Sequence, residues 1–187
     1  MFRETWNALV ACVVTFVLCA VAYPAIVYAV GHTLFPRQAE GSLIEINGKV
    51  VGSEHIAQPF VSDKYFQPRP SAAGANGYAA DAASGSNLGT TNPALHDAIE
   101  SRVKALGGTK EKPVPVDLVT TSGSGLDPDI SPEAAYYQEE RVAAARKLSV
   151  AEVHSLIDQN IISSGNIIGA PPRVNVLRLN LALDGLK

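Results

Sequence analysis

Residues 6–30 form an uninterrupted run without a charged side chain, WNALVACVVTFVLCAVAYPAIVYAV. As an α-helix this run would be about 37 Å long at ~1.5 Å per residue, more than the ~30 Å thickness of the hydrocarbon core of a bilayer. The run predicts a transmembrane helix over residues 6–31, preceded by a short flank of residues 1–5. The remaining residues, 32–187, have the length of one soluble domain with its own core.

A cleaved signal peptide is the alternative explanation of this run. Ala20-Val21-Ala22 has the small-x-small form that a signal peptidase requires, and cleavage after Ala22 would release a secreted binding module. The apolar run nevertheless continues to Val30, beyond the roughly 7–15 residues of a signal-peptide core. The length of the run therefore favours an anchor.

The charges and cysteines exclude several classes of soluble domain. Without Arg3 and Glu4, the chain keeps 14 of its 15 basic and 17 of its 18 acidic side chains, a net charge of −3. This balance is unlike that of a nucleic-acid-binding or polybasic lipid-binding domain. Cys12 and Cys19 both lie in the apolar run, so the soluble domain has no disulfide and no cysteine metal ligand. The few basic residues beside the run do not settle its orientation.

Small residues recur along one side of the predicted anchor helix. Membrane helices that pack closely have small side chains at their interface, because these allow the two backbones to approach each other. Pro24 interrupts the backbone hydrogen bonding and predicts a kink in the outer third of the helix. Chance spacing in an alanine-rich helix is the alternative to a packing stripe. The predicted stripe consists of Ala8, Cys12, Thr15, Cys19, Ala22 and Ala29.

The soluble domain has the mixed pattern of an α/β or α+β fold. Asn47-Gly48 between two short apolar segments predicts a β-hairpin. A helix is expected over residues 93–106. Ser131 as the N-cap, with Pro132 and Glu133 after it, predicts a second helix over 132–147. A third helix follows the capping box of Ser149 and Glu152, with Val150, Val153, Ile157 and Ile161 on one face. Strands are expected over residues 114–120 and, from alternating apolar residues, over 174–183.

A long irregular segment, residues 71–93, contains mostly Ala, Gly, Ser and Asn. Only Tyr78 and Leu88 in it are large and apolar, so little of it is expected to be buried. A binding loop and a disordered loop are both compatible with this composition.

No reaction centre is evident in the sequence. The four histidines, His32, His55, His96 and His154, are too far apart for metal-ligand spacing. Ser122-Gly123-Ser124-Gly125 lacks the lysine of a phosphate-binding loop, and Asp127 with Asp129 lacks the rest of a calcium loop. A membrane-tethered hydrolase using residues 122–129 is an alternative. Gln138 and Arg141 could bind a carboxylate or phosphate group, and they could equally hold a neighbouring loop.

An ordered series of short motifs covers nearly the whole chain. The motifs are FPRQA at 35–39, GSLI at 41–44, Gly52-Ser53 with Ile56 and Gln58, YFQPRPSA at 65–72, SNL at 86–88 with Asn92-Pro93, PVDLVT at 115–120, SGSGLD at 122–127, Gln138 with RVA at 141–143, and VNV at 174–176 with LNLALD at 179–184. Each motif alone is weak, but their order is specific, and the ordered set resembles the C subunit (KdpC) of the Kdp-type potassium-transporting P-type ATPase of bacteria. One departure is Ala83-Ser84-Gly85-Ser86, where some relatives have paired glycines.

The resemblance implies a non-catalytic accessory subunit of a high-affinity, ATP-driven potassium-uptake complex in the inner membrane. Its partners would be a channel-like potassium subunit, a P-type ATPase subunit and a small single-span subunit, with ATP and potassium handled by those partners and no cofactor or metal bound here. The N-terminus would be cytoplasmic and the soluble domain extracytoplasmic. The family is also described as a catalytic chaperone that raises the ATP affinity of the ATPase subunit. Candidate interaction residues are Arg69, Asn87, Asn92, Gln138 and Arg141.

Overall fold

The computed structural model describes residues 2–163 and 169–185 of the chain. Its contacts divide the protein into two compact units, residues 1–43 and residues 44–187. The first unit is helical, and the second carries the packed core. The expected organisation of one apolar helix and one mixed domain is therefore present.

The first unit is dominated by one continuous helical run from Phe2 to Leu34. It consists of α1 (Phe2–Phe16), a π-helical turn (Val17–Ala22) and α2 (Tyr23–Leu34), followed by the short helix α3 (Pro36–Ala39). The run has 33 residues, and its most apolar window of 18 residues has a mean hydropathy of 2.5, so its length and composition are sufficient to cross a membrane. It extends beyond the predicted span of residues 6–31 at both ends.

The π-helical turn ends at Ala22, two residues before Pro24. The proline ring clashes with the carbonyl group of the residue four positions earlier in an α-helix. In the π turn the Tyr23 N–H donates to the Leu18 carbonyl, five residues back. The packing role of the stripe and the kink at Pro24 stay predictions.

The predicted β-hairpin is confirmed. Strands β1 (Leu43–Ile46) and β2 (Lys49–Ser53) pair through Asn47 and Gly48, which have φ values of 53° and 73°. Positive φ at both central residues is the requirement of a type I′ turn, and Asn-Gly meets it at little cost.

The core of the second unit lies between helices and a small antiparallel sheet. The elements are α4 (Pro93–Ala105), α5 (Val116–Val119), β3 (Asp129–Ile130), α6 (Pro132–Arg146), α7 (Val150–Gln159), β4 (Ile161–Ile162), β5 (Arg173–Asn175) and α8 (Val176–Asp184). The sheet order is β3-β5-β4, with Ile130 and Ile161 both opposite Val174. Because these pairs are antiparallel, the domain is α+β rather than a parallel α/β fold. Buried core residues include Phe66, Val142, Val153, Ile157, Val174, Leu179 and Leu183.

The three predicted helices are confirmed at α4, α6 and α7, together with the predicted N-terminal caps of α6 and α7. Ser131 accepts a hydrogen bond from the Ala134 N–H at the start of α6, and Ser149 with Glu152 forms the capping box of α7. The expected face of α7 is only partly correct. Ile161 lies in β4 instead of the helix, and Val150 is exposed.

Two predicted strands are wrong. Residues 116–119 form helix α5, which has Pro115 before its first residue and Asp117 in its first turn. The terminal strand ends at Asn175, whose side chain caps α8 by accepting from the Arg178 N–H. The apolar alternation at 174–183 also fits a helix, because the buried residues of α8 are spaced as one helical face: Val176, Leu177, Leu179, Asn180 and Leu183.

Candidate interaction site

Residues 63–69, here called the clamped segment, lie against α6 and α8 and are held by two buried side-chain amides. Asn180 accepts from the Phe66 N–H at 2.8 Å and donates to the Phe66 carbonyl at 2.9 Å. Gln138 does the same for Gln67, at 2.8 Å and 3.1 Å. The two amides replace the neighbouring strand that would otherwise satisfy these backbone groups. The backbone of Phe66 and Gln67 is therefore fixed without a sheet.

Two arginines complete the clamp. Arg141 donates to the carbonyl groups of Asp63 and Tyr65, at 2.8 Å and 3.1 Å. Arg146 donates to the Lys64 carbonyl and forms an ion pair with Asp184, both at 2.7 Å. Its guanidinium also lies 4.8 Å from the centroid of the Tyr65 ring, within cation-π distance. Of the two roles open for Gln138 and Arg141, the structure places both residues in holding a neighbouring segment.

Burial also affects the pKa of Arg141. Loss of water around the guanidinium lowers its pKa, and the nearby Asp63 carboxylate opposes that change. An arginine stays protonated under such a shift. Its charge is directed at backbone carbonyl groups of the clamped segment.

Arg69 joins the clamped segment to residues 120–127. Its Nη1 lies 3.3 Å from an Asp127 carboxylate oxygen, and its Nη2 lies 3.4 Å from the Thr120 hydroxyl. Asp127 also accepts from the Asp129 N–H, and Asp129 forms an ion pair with Arg173 at 2.8 Å. Both aspartates are therefore engaged in holding loops and strands together.

The irregular segment at 71–93 packs against residues 122–125 over part of its length. Ser84 N–H donates to the Ser124 carbonyl at 2.8 Å, and Ala73 is fully buried. Gly125 has φ +68°, and a Cβ there would lie 2.5 Å from the Ser84 carbonyl oxygen. Gly125 thus permits the two loops to approach closely.

The other two candidate interaction residues have separate positions. Asn92 caps α4 by accepting from the Ala94 N–H at 3.0 Å. Asn87 is exposed, with a left-handed φ of 52°. The structure therefore brings Arg69, Gln138 and Arg141 together around the clamped segment and leaves Asn87 and Asn92 outside it. An interaction role for the five residues stays a prediction.

Asn180 was not identified from the sequence, although it carries the clamp at Phe66. It lies between Leu179 and Leu181 in an apolar stretch, and a lone amide in such a stretch is a signal for a buried polar contact. Recognising this signal requires the helical assignment of α8, because a strand would place Asn180 on the solvent face.

Residues 122–129 give little support to a hydrolase. Ser122 is buried, and its hydroxyl has no hydrogen-bond partner within residues 2–163 and 169–185, so no described histidine activates it. His154 instead lies 2.8 Å from Glu139 and stacks on Tyr136. Among the residues that the structure describes, no three His, Cys, Asp or Glu side chains are grouped to hold a metal ion.

Comparison with known proteins gives consistent similarities over the whole chain. The family model described as KdpC, the c chain of the K⁺-transporting ATPase, matches residues 5–185. A potassium-transporting ATPase KdpC subunit of Methylococcus capsulatus is 54% identical over 192 residues, covering 100% of both chains. The corresponding subunit of Paraburkholderia phytofirmans is 56% identical over 171 residues, 89% of this chain and 88% of its own. That of Sorangium cellulosum is 50% identical over 192 residues, covering 100% of both.

Proposed function

Because the chain belongs to the KdpC family of the K⁺-transporting ATPase, we propose that it assembles and stabilises a high-affinity, ATP-driven potassium-uptake complex without being catalytic itself. The match over residues 5–185 is the observation that carries this proposal. The contacts in the soluble domain support the proposal. The buried amides of Asn180 and Gln138 bond the backbone of Phe66 and Gln67, so these polar side chains have a structural role.

We propose three partners: a channel-like potassium subunit, a P-type ATPase subunit and a small single-span subunit. The helix from Phe2 to Leu34 would cross the inner membrane with its N-terminus in the cytoplasm, which leaves the soluble domain extracytoplasmic. ATP and potassium would be handled by the partners. The chain would then need no cofactor of its own.

The test of assembly is purification of the tagged chain in mild detergent from cells that produce the whole complex. We expect the three partners to be recovered together with potassium-stimulated ATPase activity. Deletion of the chain is expected to lose recovery of an intact complex. Recovery of the tagged chain alone, under conditions that keep the other subunits together, would contradict the proposal.

The orientation has an independent test. Glu111 is exposed in the soluble domain, so a Glu111→Cys variant in a background without Cys12 and Cys19 offers one thiol. We expect a membrane-impermeant maleimide to label it in cells with a permeabilised outer membrane and an intact inner membrane. Protection until the inner membrane is opened would reverse the topology.

We also propose that the chain raises the ATP affinity of the ATPase subunit. In this topology the effect must be indirect, because the bilayer separates the soluble domain from cytoplasmic ATP. An effector changes affinity by binding one conformational state of its partner more tightly than another. The membrane-spanning helix is the segment able to make such contacts near the ATPase subunit. We expect the KM for ATP to be higher in a preparation that lacks this chain, and an unchanged KM would exclude the chaperone role.

A further inference from the structure

A cavity of about 410 Å³ lies in the soluble domain beside the C-terminal end of α4. Its volume is within the ~300–1,000 Å³ typical of ligand pockets. We call it the proline pocket, because Pro59, Pro68 and Pro70 line it together with Phe60, Tyr78 and Leu106. The proline rings are rigid and Phe60 and Tyr78 are aromatic, so the pocket is largely formed before anything binds.

Arg102 supplies a positive charge to this otherwise mostly apolar pocket. It is half-buried, and its Nη1 donates to the Val119 carbonyl at 2.8 Å. Within the residues that the structure describes, Arg102 forms no ion pair with a carboxylate. A guanidinium has five N–H donors, and a charge beside apolar surface is costly to leave without a counterion. The pocket is therefore chemically complementary to an anion.

Tyr78 forms a strained wall of the same pocket. Its φ of 56° is unusual for a bulky residue. Two hydrogen bonds hold Tyr78 in this conformation: its N–H donates to the Ser71 hydroxyl at 2.8 Å, and its own hydroxyl donates to the Arg69 carbonyl at 2.9 Å. Burial raises the pKa of the Tyr78 phenol, and the neighbouring positive charge of Arg102 opposes part of that rise. Strained residues of this kind are concentrated at binding sites.

The mouth of the pocket favours a protein segment over a free anion. Val61 lines the mouth and is 91% exposed, so a ligand confined to the cavity would leave it uncovered. The chain also has a net charge of −3, which gives a free anion no long-range attraction. A carboxylate carried by an associated subunit is instead present at high effective concentration.

We infer that the proline pocket receives an acidic side chain, flanked by an apolar residue, from a peptide segment of another subunit of the complex. The carboxylate pairs with Arg102, and the apolar neighbour covers Val61 and Phe60. This inference rests on the proposed function, because the partner must belong to the same assembly.

The experiment places a photo-crosslinking amino acid at Ala105, an exposed residue of α4 that lines the pocket, in the full chain produced with the whole complex. The control position is Ala151, an exposed alanine of α7 outside the pocket. Irradiation of the purified complex is expected to link Ala105, but not Ala151, to a subunit peptide containing Asp or Glu, identified by mass spectrometry.

The dependence on charge is tested with Arg102→Met. We expect at least about a tenfold lower crosslink yield, as for loss of one charge-assisted hydrogen bond. Lys104→Met is the matched control, because Lys104 lies on the same helix but pairs with Glu100 at 2.6 Å. Val61→Asp is a second variant that changes an exposed side chain and requires no buried rearrangement, and it is expected to lower the yield as well.

The outcomes distinguish this inference from the proposed function. An intact complex that gives no crosslink at Ala105, or one whose yield is unaffected by both Arg102→Met and Val61→Asp, overturns the inference while leaving the accessory role in place. Failure of the chain to purify with any subunit overturns the proposed function first.

Discussion

Replacement of Asn180 by leucine tests whether the side-chain amides hold the domain together. Asn180 is 1% exposed and Phe66 is fully buried, so the Phe66 N–H and carbonyl groups would lose their partner away from water. An unsatisfied buried group costs about 1–3 kcal/mol, which gives about 2–6 kcal/mol for the pair. The higher helix propensity of leucine offsets only about 0.5 kcal/mol of that loss.

The assay is urea unfolding of the full chain in mild detergent, followed by near-ultraviolet circular dichroism of its tyrosines. The only tryptophan, Trp6, is in the apolar helix and would not report on the soluble domain. Gln159→Leu is the matched control, because the Gln159 amide is exposed and donates a hydrogen bond to the Ser155 hydroxyl at 3.2 Å on the same helix. We expect the control to change the free energy of unfolding by less than about 0.5 kcal/mol. Equal effects of the two substitutions would refute the clamp.

Other substitutions test separate contacts. Gly125→Ala is expected to lower the free energy of unfolding by about 1–3 kcal/mol, because residue 125 has a φ of +68° and the new Cβ would meet the Ser84 carbonyl oxygen. Gly123→Ala is the control, since it has open space around it and should lower that free energy far less in the same assay. The hydrogen bond to Asp158 raises the pKa of Tyr136 to about 12, so its stabilisation is present below the ordinary tyrosine pKa near 10 and is lost as pH rises through about 12. Ultraviolet titration should show a tyrosine with a pKa of about 12, and the Asp158→Asn variant should shift the pKa of that tyrosine towards 10. Ala22→Leu should weaken co-purification with the partners if the small-residue stripe packs against them, and Val21→Leu, off the stripe, should not.

Local signals predicted the parts of the fold that local chemistry determines. Asn47-Gly48, the cap at Ser131 and the capping box at Ser149 each specify an element through neighbouring residues alone, and all three are confirmed. The strand predicted over 174–183 was wrong beyond Asn175, because the apolar spacing of this segment fits both a strand and a helix. The choice is made by Asn175, which caps the helix, and by Asn180, whose partner Phe66 is 114 residues away. Contacts at that separation have no local signature.

The motifs that identify the family mainly build the domain, and this affects where its partners should be sought. The motif residues of the clamped segment, together with Gln138 and Arg141, carry much of the resemblance. Gln138 and Arg141 bond the backbone of the clamped segment, and Arg69 forms an ion pair with Asp127. A residue that satisfies its own fold has few donors left for another protein. Arg102 lies outside those motifs and, within the described chain, uses one donor on Val119 without an ion pair. The contacts that distinguish one partner from another are therefore expected at positions such as Arg102 and Val61, which the family resemblance does not identify.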